Sequence, residues 1–247
     1  MPCGFARAHV NLDRVSEPLP IVLIPGLLAS ARLYAEQIPH LWRAGSVTIA
    51  DHTRDDSMSA IAQRILSMAP GRFALVGLSM GGYIAFEILR QAPERIARLA
   101  LLDTSAHADV PEQTLMRRAH MQLASQGRLA EVLEQQWPRL VHPAHRGDAA
   151  LREVLGVMAD EVGPAAFIRQ QNANLGRLDS RPTLGSIRCP TLVLVGEGDE
   201  LTPPERAAEI AAGIAGARLV TVPRSGHLST LEQPEAVTRA LLQWLEG

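Results

Sequence analysis

Cysteine is nearly absent. Cys3 and Cys189 are the only two in 247 residues, which excludes a disulfide framework. The opening stretch, MPCGFARAHVNLDR, lacks the long apolar core of a secretory signal. No run approaches the roughly 18 apolar residues of a membrane-spanning helix. No basic block stands out either: 24 basic residues intermix with 26 acidic ones, for a formal charge of −2. That balance excludes the electrostatic footprint of a nucleic-acid binder. There is no internal repeat, no low-complexity linker and no glycine-rich fingerprint for NAD or ATP. What is present is an ordinary globular composition, 47% apolar and 20% charged. A chain of this length fits one large α/β domain or two small ones. The expectation is a soluble cytoplasmic protein that binds a small molecule, with no nucleic acid and no membrane among its partners. No oligomeric state follows from the sequence.

Six short apolar runs read as strands: LPIVLIPG (19–26), SVTIAD (46–51), RFALVGLS (72–79), RIARLALLD (95–103), PTLVLVGEGD (190–199) and ARLVTVP (217–223). Helix-like stretches lie between and after them, at 30–45, 56–71, 80–94, 203–214 and 230–247. Gly45, a Ser or Asp cap with a closing Pro-Gly, Pro93 and the prolines at 203 and 204 mark their ends. Strand alternating with helix predicts a mostly parallel sheet with helices on both faces. The alternation breaks once. Residues 111–185 hold no convincing strand and carry helix-like pieces such as EQTLMRRAHMQLASQG. They read as a helical cap inserted between the two parts of a sheet-bearing core, 1–110 and 186–247.

Within that pattern, Gly77-Leu78-Ser79-Met80-Gly81 matches G-x-S-x-G. A strand that turns sharply into a helix projects the serine oxygen from the sheet edge. The turn crowds the positions two residues away on either side, so both must be small. A helix starting at Met80 would also aim its free N–H groups and dipole at developing negative charge. The plain alternative is a serine in a glycine-rich packing turn. The strand before and the helix after are the context that the chemistry requires.

A serine hydroxyl needs a base, and the base needs an orienting acid. Asp199, in GEGDELTPPE, follows the fifth strand, and His227, in PRSGHLSTLEQP, follows the sixth. Both therefore fall at the C-terminal edge, where open parallel sheets collect their ligands. Asp103, which ends LALLD, is the rival acid.

GLSMGG, GEGDELTP and SGHLSTLEQPE resemble the nucleophile, acid and histidine blocks of the α/β-hydrolase-fold serine hydrolases. The likeness runs the length of the chain. IVLIPGLLAS resembles the oxyanion block of that family, with Pro25 where the family has histidine. DHTRDDSM lacks the glycines of the family's DxxGxGxS stretch, a departure in loop shape. The resemblance implies an α/β-hydrolase fold with Ser79 as nucleophile, His227 as base and Asp199 as acid. It implies backbone N–H groups of Leu27 and Met80 as oxyanion donors, and neither cofactor nor metal. The reaction it implies is hydrolysis of a small carboxylic ester, with enol-lactones or β-diketones as alternative substrates. A non-catalytic ligand-binding protein on the same fold is the rival of a different class.

Other residues are weighed on the same terms. Leu28, Tyr34 and Trp137 are candidates for a substrate pocket, with Met116 and Met121 beside them in the insertion. Each could equally be packing. His142 and His145 in VHPAHRG suggest a metal only weakly, because no third ligand is near and Pro143 interrupts helical spacing. His9, His40, His52, His107 and His120 have no catalytic block around them. Cys189, before Pro190 at a strand start, reads as structural.

Overall fold

The computed structural model describes residues 18–247. Cys3, His9 and the opening MPCGFARAHVNLDR lie outside the described residues. The first half runs β1 (Ile21–Ile24), a 3-10 turn (Ala31–Tyr34), α1 (Ile38–Leu41), β2 (Val47–Ile49), α2 (Met58–Met68), β3 (Phe73–Leu78), α3 (Met80–Gln91) and β4 (Ile96–Leu102). Helices α4 (Pro111–Ser125), α5 (Leu129–Leu140), α6 (Ala149–Leu175) and α7 (Arg181–Leu184) follow without a strand. The chain closes with β5 (Thr191–Gly196), α8 (Pro204–Gly213), β6 (Arg218–Val222), α9 (Ser229–Glu232) and α10 (Pro234–Glu246).

All six expected strands form, and they join one parallel sheet in the order β2-β1-β3-β4-β5-β6. The inner strands β1, β3 and β5 are buried at every residue. That is why they read as unbroken apolar runs rather than alternating ones. Alternate residues still serve opposite faces. Leu75, Leu99, Leu101, Val193 and Val195 pack on one side with α2, α3 and α8. Ala74, Val76, Ala100, Leu102, Leu192 and Leu194 pack on the other with α10. A third apolar cluster, Leu28, Ala124, Val132, Ala159 and Phe167, joins the loop after β1 to α4, α5 and α6.

Two expected helices are broken, both at proline. Pro39 has no N–H for the carbonyl four residues back, so 30–45 becomes a 3-10 turn and the short α1. Pro234 likewise leaves the Thr230 carbonyl free, and the buried Gln37 side-chain amide donates to it instead (3.0 Å). The long α6 also bends, at Gly163 (φ 74) followed by Pro164. No helix among the described residues is long and apolar enough to cross a membrane.

The topology singles out one place. The chain steps from β1 outward to β2, then returns to β3 on the other side of β1. Loops leaving the C-terminal ends of β1 and β3 therefore diverge and open a crevice between them.

One side chain closes the opposite end of this unit. The Arg95 guanidinium donates to the carbonyls of Leu66 (2.8 Å), Ala69 (2.9 Å), Pro70 (2.6 Å) and Gly71 (3.1 Å). These include orphan acceptors at the C-terminus of α2, where a cation also suits the helix dipole. Arg95→Met keeps the aliphatic stem and removes the donors. It should lower unfolding free energy by about 2 kcal/mol, read as a shifted midpoint in urea, while activity per folded molecule stays at the wild-type level.

Candidate active site

Ser79 caps α3 with φ 55 and ψ −114, a backbone conformation outside the usual regions for an L-residue. Its neighbours hold it there. A Cβ on Gly81 would lie 2.1 Å from the Ile24 carbonyl oxygen, and one on Gly77 would lie 2.3 Å from the Gly81 oxygen. Only glycine permits either approach. The sheet ladder continues into the turn, with Ser79 N–H donating to Leu102 O (2.9 Å). The Thr104 hydroxyl holds the Ser79 carbonyl (2.8 Å).

Three of the side chains expected from sequence meet. The Ser79 hydroxyl donates to His227 Nε2 (2.8 Å), and His227 Nδ1–H donates to Asp199 Oδ2 (2.8 Å). Asp199 is fixed in turn by the N–H groups of Leu201 (2.8 Å) and Thr202 (2.9 Å) and by the Thr202 hydroxyl (2.8 Å). A buried carboxylate that accepts this many donors stays ionised. Burial alone would raise its pKa, but His227 and these donors hold Asp199 below the ordinary carboxylate value. Burial pushes His227 down, yet the Asp199 carboxylate, by its charge and its hydrogen bond, raises it above its usual 6.5.

Asp103 sits behind this line rather than in it. Its Oδ1 accepts the Gly196 N–H (2.9 Å), and its Oδ2 meets the Ser229 hydroxyl (2.5 Å). It makes no hydrogen bond to His227. Burial, then the Asp199 carboxylate, push it up to about 8, so it holds its proton at neutral pH.

The histidine loop is fixed by a residue that sequence reasoning passed over. Glu232 Oε1 accepts the N–H groups of Gly226 (2.8 Å) and Leu228 (3.3 Å), on either side of His227. Its Oε2 accepts the His142 N–H (2.7 Å) and His145 Nδ1–H (2.9 Å). The His227 N–H itself donates to the Leu140 carbonyl (3.0 Å). His145 is thus tied to Glu232 by a hydrogen bond, and His142 Nδ1 accepts the Ala144 N–H (3.1 Å). Among the described residues no group of three or more His, Cys, Asp or Glu side chains is placed to hold a metal.

Across the crevice, the loop after β1 is pinned at three points. Tyr34 donates to the Ile24 carbonyl (3.0 Å), His52 Nε2–H to the Gly26 carbonyl (2.9 Å), and the Leu28 N–H to Gln170 Oε1 (3.1 Å). Burial lowers the pKa of His52, which keeps it neutral. The Met80 N–H, first of its helix, has no intrahelical acceptor. Leu27 and Met80, on either side of the crevice, both line the same cavity as Ser79.

Ser79, Leu27, Leu28, Met80 and His227 line one cavity of about 360 Å³, roofed by α4 and α5 with Met116 among the roof residues. Two expected pocket residues lie elsewhere. Tyr34 is fully buried under the β1 loop, and the main-chain hydrogen bond of its hydroxyl explains why it is there. Trp137 is turned away from the cavity. It packs with Leu151, Leu155 and Met158, and its indole N–H donates to the Arg146 carbonyl (3.0 Å). Met121 is not among the lining residues.

The comparisons agree with this architecture. Residues 21–240 match the profile of the alpha/beta hydrolase family. A thermophilic esterase from Thermogutta terrifontis is 30% identical, with a TM-score of 0.85 over 93% of this chain and 90% of that one. A pimeloyl-[acyl-carrier protein] methyl ester esterase from Edwardsiella ictaluri is 25% identical over 91% of this chain and 87% of its own. The enol-lactonase from Burkholderia xenovorans LB400, at 22% identity and a TM-score of 0.82 over 95% and 94% of the two chains, shares the fold.

The two aspartates separate by mutation. Asp199→Asn removes the negative partner of His227 and should cut turnover by roughly 10⁴-fold. Asp103→Asn substitutes one neutral group for another, at a left-handed position (φ 44) that asparagine tolerates, and should cost less than about tenfold. Steady-state kinetics on one ester, with folding checked by circular dichroism, tests the pair; the reverse order of losses would move the acid to Asp103. The raised pKa of His227 also has a sign. The ring must be neutral to take a proton, so kcat/KM for an uncharged ester should fall on the acid side with a midpoint above 6.5. A midpoint well below that value would contradict the arrangement.

Proposed function

From a chain that belongs to the alpha/beta hydrolase family, we propose a serine hydrolase that cleaves small carboxylic esters through an acyl-enzyme on Ser79. The observation that carries this reading is the unbroken hydrogen-bonded line from Ser79 through His227 to Asp199, opening into an apolar cavity. The two esterase relatives support it.

The steps follow from the geometry. Ser79 Oγ attacks the ester carbonyl carbon while its proton passes to His227 Nε2. Asp199 stabilises the imidazolium and keeps Nδ1 as the protonated nitrogen. The carbonyl oxygen, now negative, is received by the N–H groups of Leu27 and Met80. Each such donor is worth about 3 kcal/mol where one has been removed from a related site. The tetrahedral adduct collapses, and the leaving alkoxide takes the proton from Nε2. Water then gives a proton to Nε2 and attacks the acyl carbon. Ser79 departs with that proton, so one ester and one water yield one acid and one alcohol. In this reading residues 111–185 are a cap that walls the cavity, and the rest is the core that carries the chemistry.

Ser79→Ala should lower hydrolysis of activated short-chain esters by at least about 10³-fold, with the fold intact by circular dichroism. A fluorophosphonate probe should add one label to the wild-type chain and none to the variant, read by intact-mass spectrometry. Turnover should survive EDTA, because the Ser–His pair supplies its own nucleophile. Wild-type rates in folded Ser79→Ala would end this reading.

A further inference from the structure

The wall of the cavity contains charge that the acyl-transfer chemistry does not use. Arg117, on α4, lines the cavity, and its side chain is only 10% exposed. It forms a fork with Asp109, Nε to Oδ2 at 2.6 Å and Nη2 to Oδ1 at 3.2 Å. Its Nη1 donates to Gln171 Oε1 (2.8 Å). The same Asp109 is also claimed by Arg177, Nη1 to Oδ1 at 2.5 Å. One buried carboxylate therefore serves two buried guanidiniums.

The two arginines are not equivalent. Arg117 lines the cavity and Arg177 does not. Arg177 donates to the carbonyls of His107 (3.0 Å) and Asn174 (3.3 Å), and it stacks over the Tyr83 ring at 4.4 Å. Arg117 likewise spends three of the five N–H groups of a guanidinium, which leaves two on a side chain that lines the cavity. Asp109 can neutralise one cation, so the cluster keeps one positive charge in a place where water screens little. That charge acts on its surroundings: burial, then Arg117, hold the neighbouring His120 below its usual pKa. Nor can the charge be titrated away. The chain has no lysine, and every permanent side-chain cation is an arginine. Two more charged residues border the cavity. Glu112 is exposed to solvent, and Arg139 donates to the Glu200 carbonyl without a carboxylate partner. Adding these two leaves the excess at one positive charge. Asn174, also in the lining, has a buried Oδ1 with no hydrogen-bond partner.

We propose that Arg117 selects esters carrying a second, free carboxylate, the half-esters of dicarboxylic acids, by receiving that carboxylate on the α4 side of the cavity. This rests on the serine-hydrolase reading for its chemistry. A planar guanidinium suits a carboxylate. The single surplus charge matches a carboxylate monoanion, whereas a phosphate dianion would leave one charge unmatched. The apolar remainder of the lining suits the methylene chain between the two ends.

The test compares the monomethyl esters of succinate through suberate with methyl alkanoates of equal carbon number, followed by pH-stat. At its best chain length, the wild type should favour the half-ester by at least tenfold in kcat/KM. In Arg117→Gln, which leaves Asp109 paired with Arg177, that ratio should fall at least fivefold. Because the readout is a ratio, a variant that is merely less folded does not mimic the effect. Equal or poorer use of half-esters at every length, or a ratio unchanged in Arg117→Gln, would overturn the proposal. A second measurement does not depend on turnover. Monomethyl adipate should raise the Tm of Ser79→Ala more than methyl hexanoate does, and the difference should vanish when Arg117→Gln is added. If Ser79 takes the fluorophosphonate label and alkanoates are cleaved without preference, the carboxylate site falls and the hydrolase stands. If no label or turnover appears but the adipate-specific Tm shift depends on Arg117, the hydrolase reading falls and the carboxylate site stands.

Discussion

The first turn of α3 lies against the end of β1 with no room for a side chain between them, and the geometry of the site descends from that contact. With the Gly81 backbone against the Ile24 carbonyl, α3 cannot slide back to relax the turn. Ser79 is held at φ 55, a strain of roughly 1–3 kcal/mol that the surrounding ladder must sustain. The hydroxyl consequently reaches the His227 ring at the C-terminal edge of the sheet. Parallel pairing then fixes the remaining distances. The strands that deliver Asp199 and His227 are hydrogen-bonded neighbours, so their loops leave the sheet side by side and reach the serine from the same edge.

The helices between β4 and β5 do more than roof the cavity. Gln170, on α6, takes the Leu28 N–H, and Arg169 holds the Thr53 carbonyl (2.9 Å). Glu161 receives both Ser30 and Arg32 (2.5 and 2.7 Å). The loop after β1 is thus shaped partly by residues distant in sequence.

The sheet was readable from sequence because its inner strands are buried on both faces and so declare themselves as apolar runs. The meeting of Ser79, Asp199 and His227 was readable because each follows the end of a strand run. Trp137 misled for a rotational reason. Gln136 lines the cavity, and one residue further along a helix turns the side chain by roughly 100°, out of the cavity and into the α5–α6 packing. Tyr34 looked like lining because an aromatic near a site suggests contact, but its hydroxyl found a main-chain carbonyl first. Gln170, His52 and Glu232 carried no local signal at all. Their roles are hydrogen bonds across long stretches of chain, which spacing and periodicity do not encode. Glu232 and His52 nevertheless lay within stretches already singled out, SGHLSTLEQPE and DHTRDDSM.

Glu232 also bears on how this architecture can change. One carboxylate grips both N–H groups beside His227 and, with its other oxygen, the chain where it leaves α5. His227 is therefore moored to the helices between β4 and β5 as well as to the sheet. An exchange of those helices between relatives, by recombination or by design, would carry the mooring away if the exchanged segment included residues 142–145. A graft that keeps 140–145 with the recipient's own core would preserve the histidine's position, leaving α4 and the first part of α5 as the portion free to diverge.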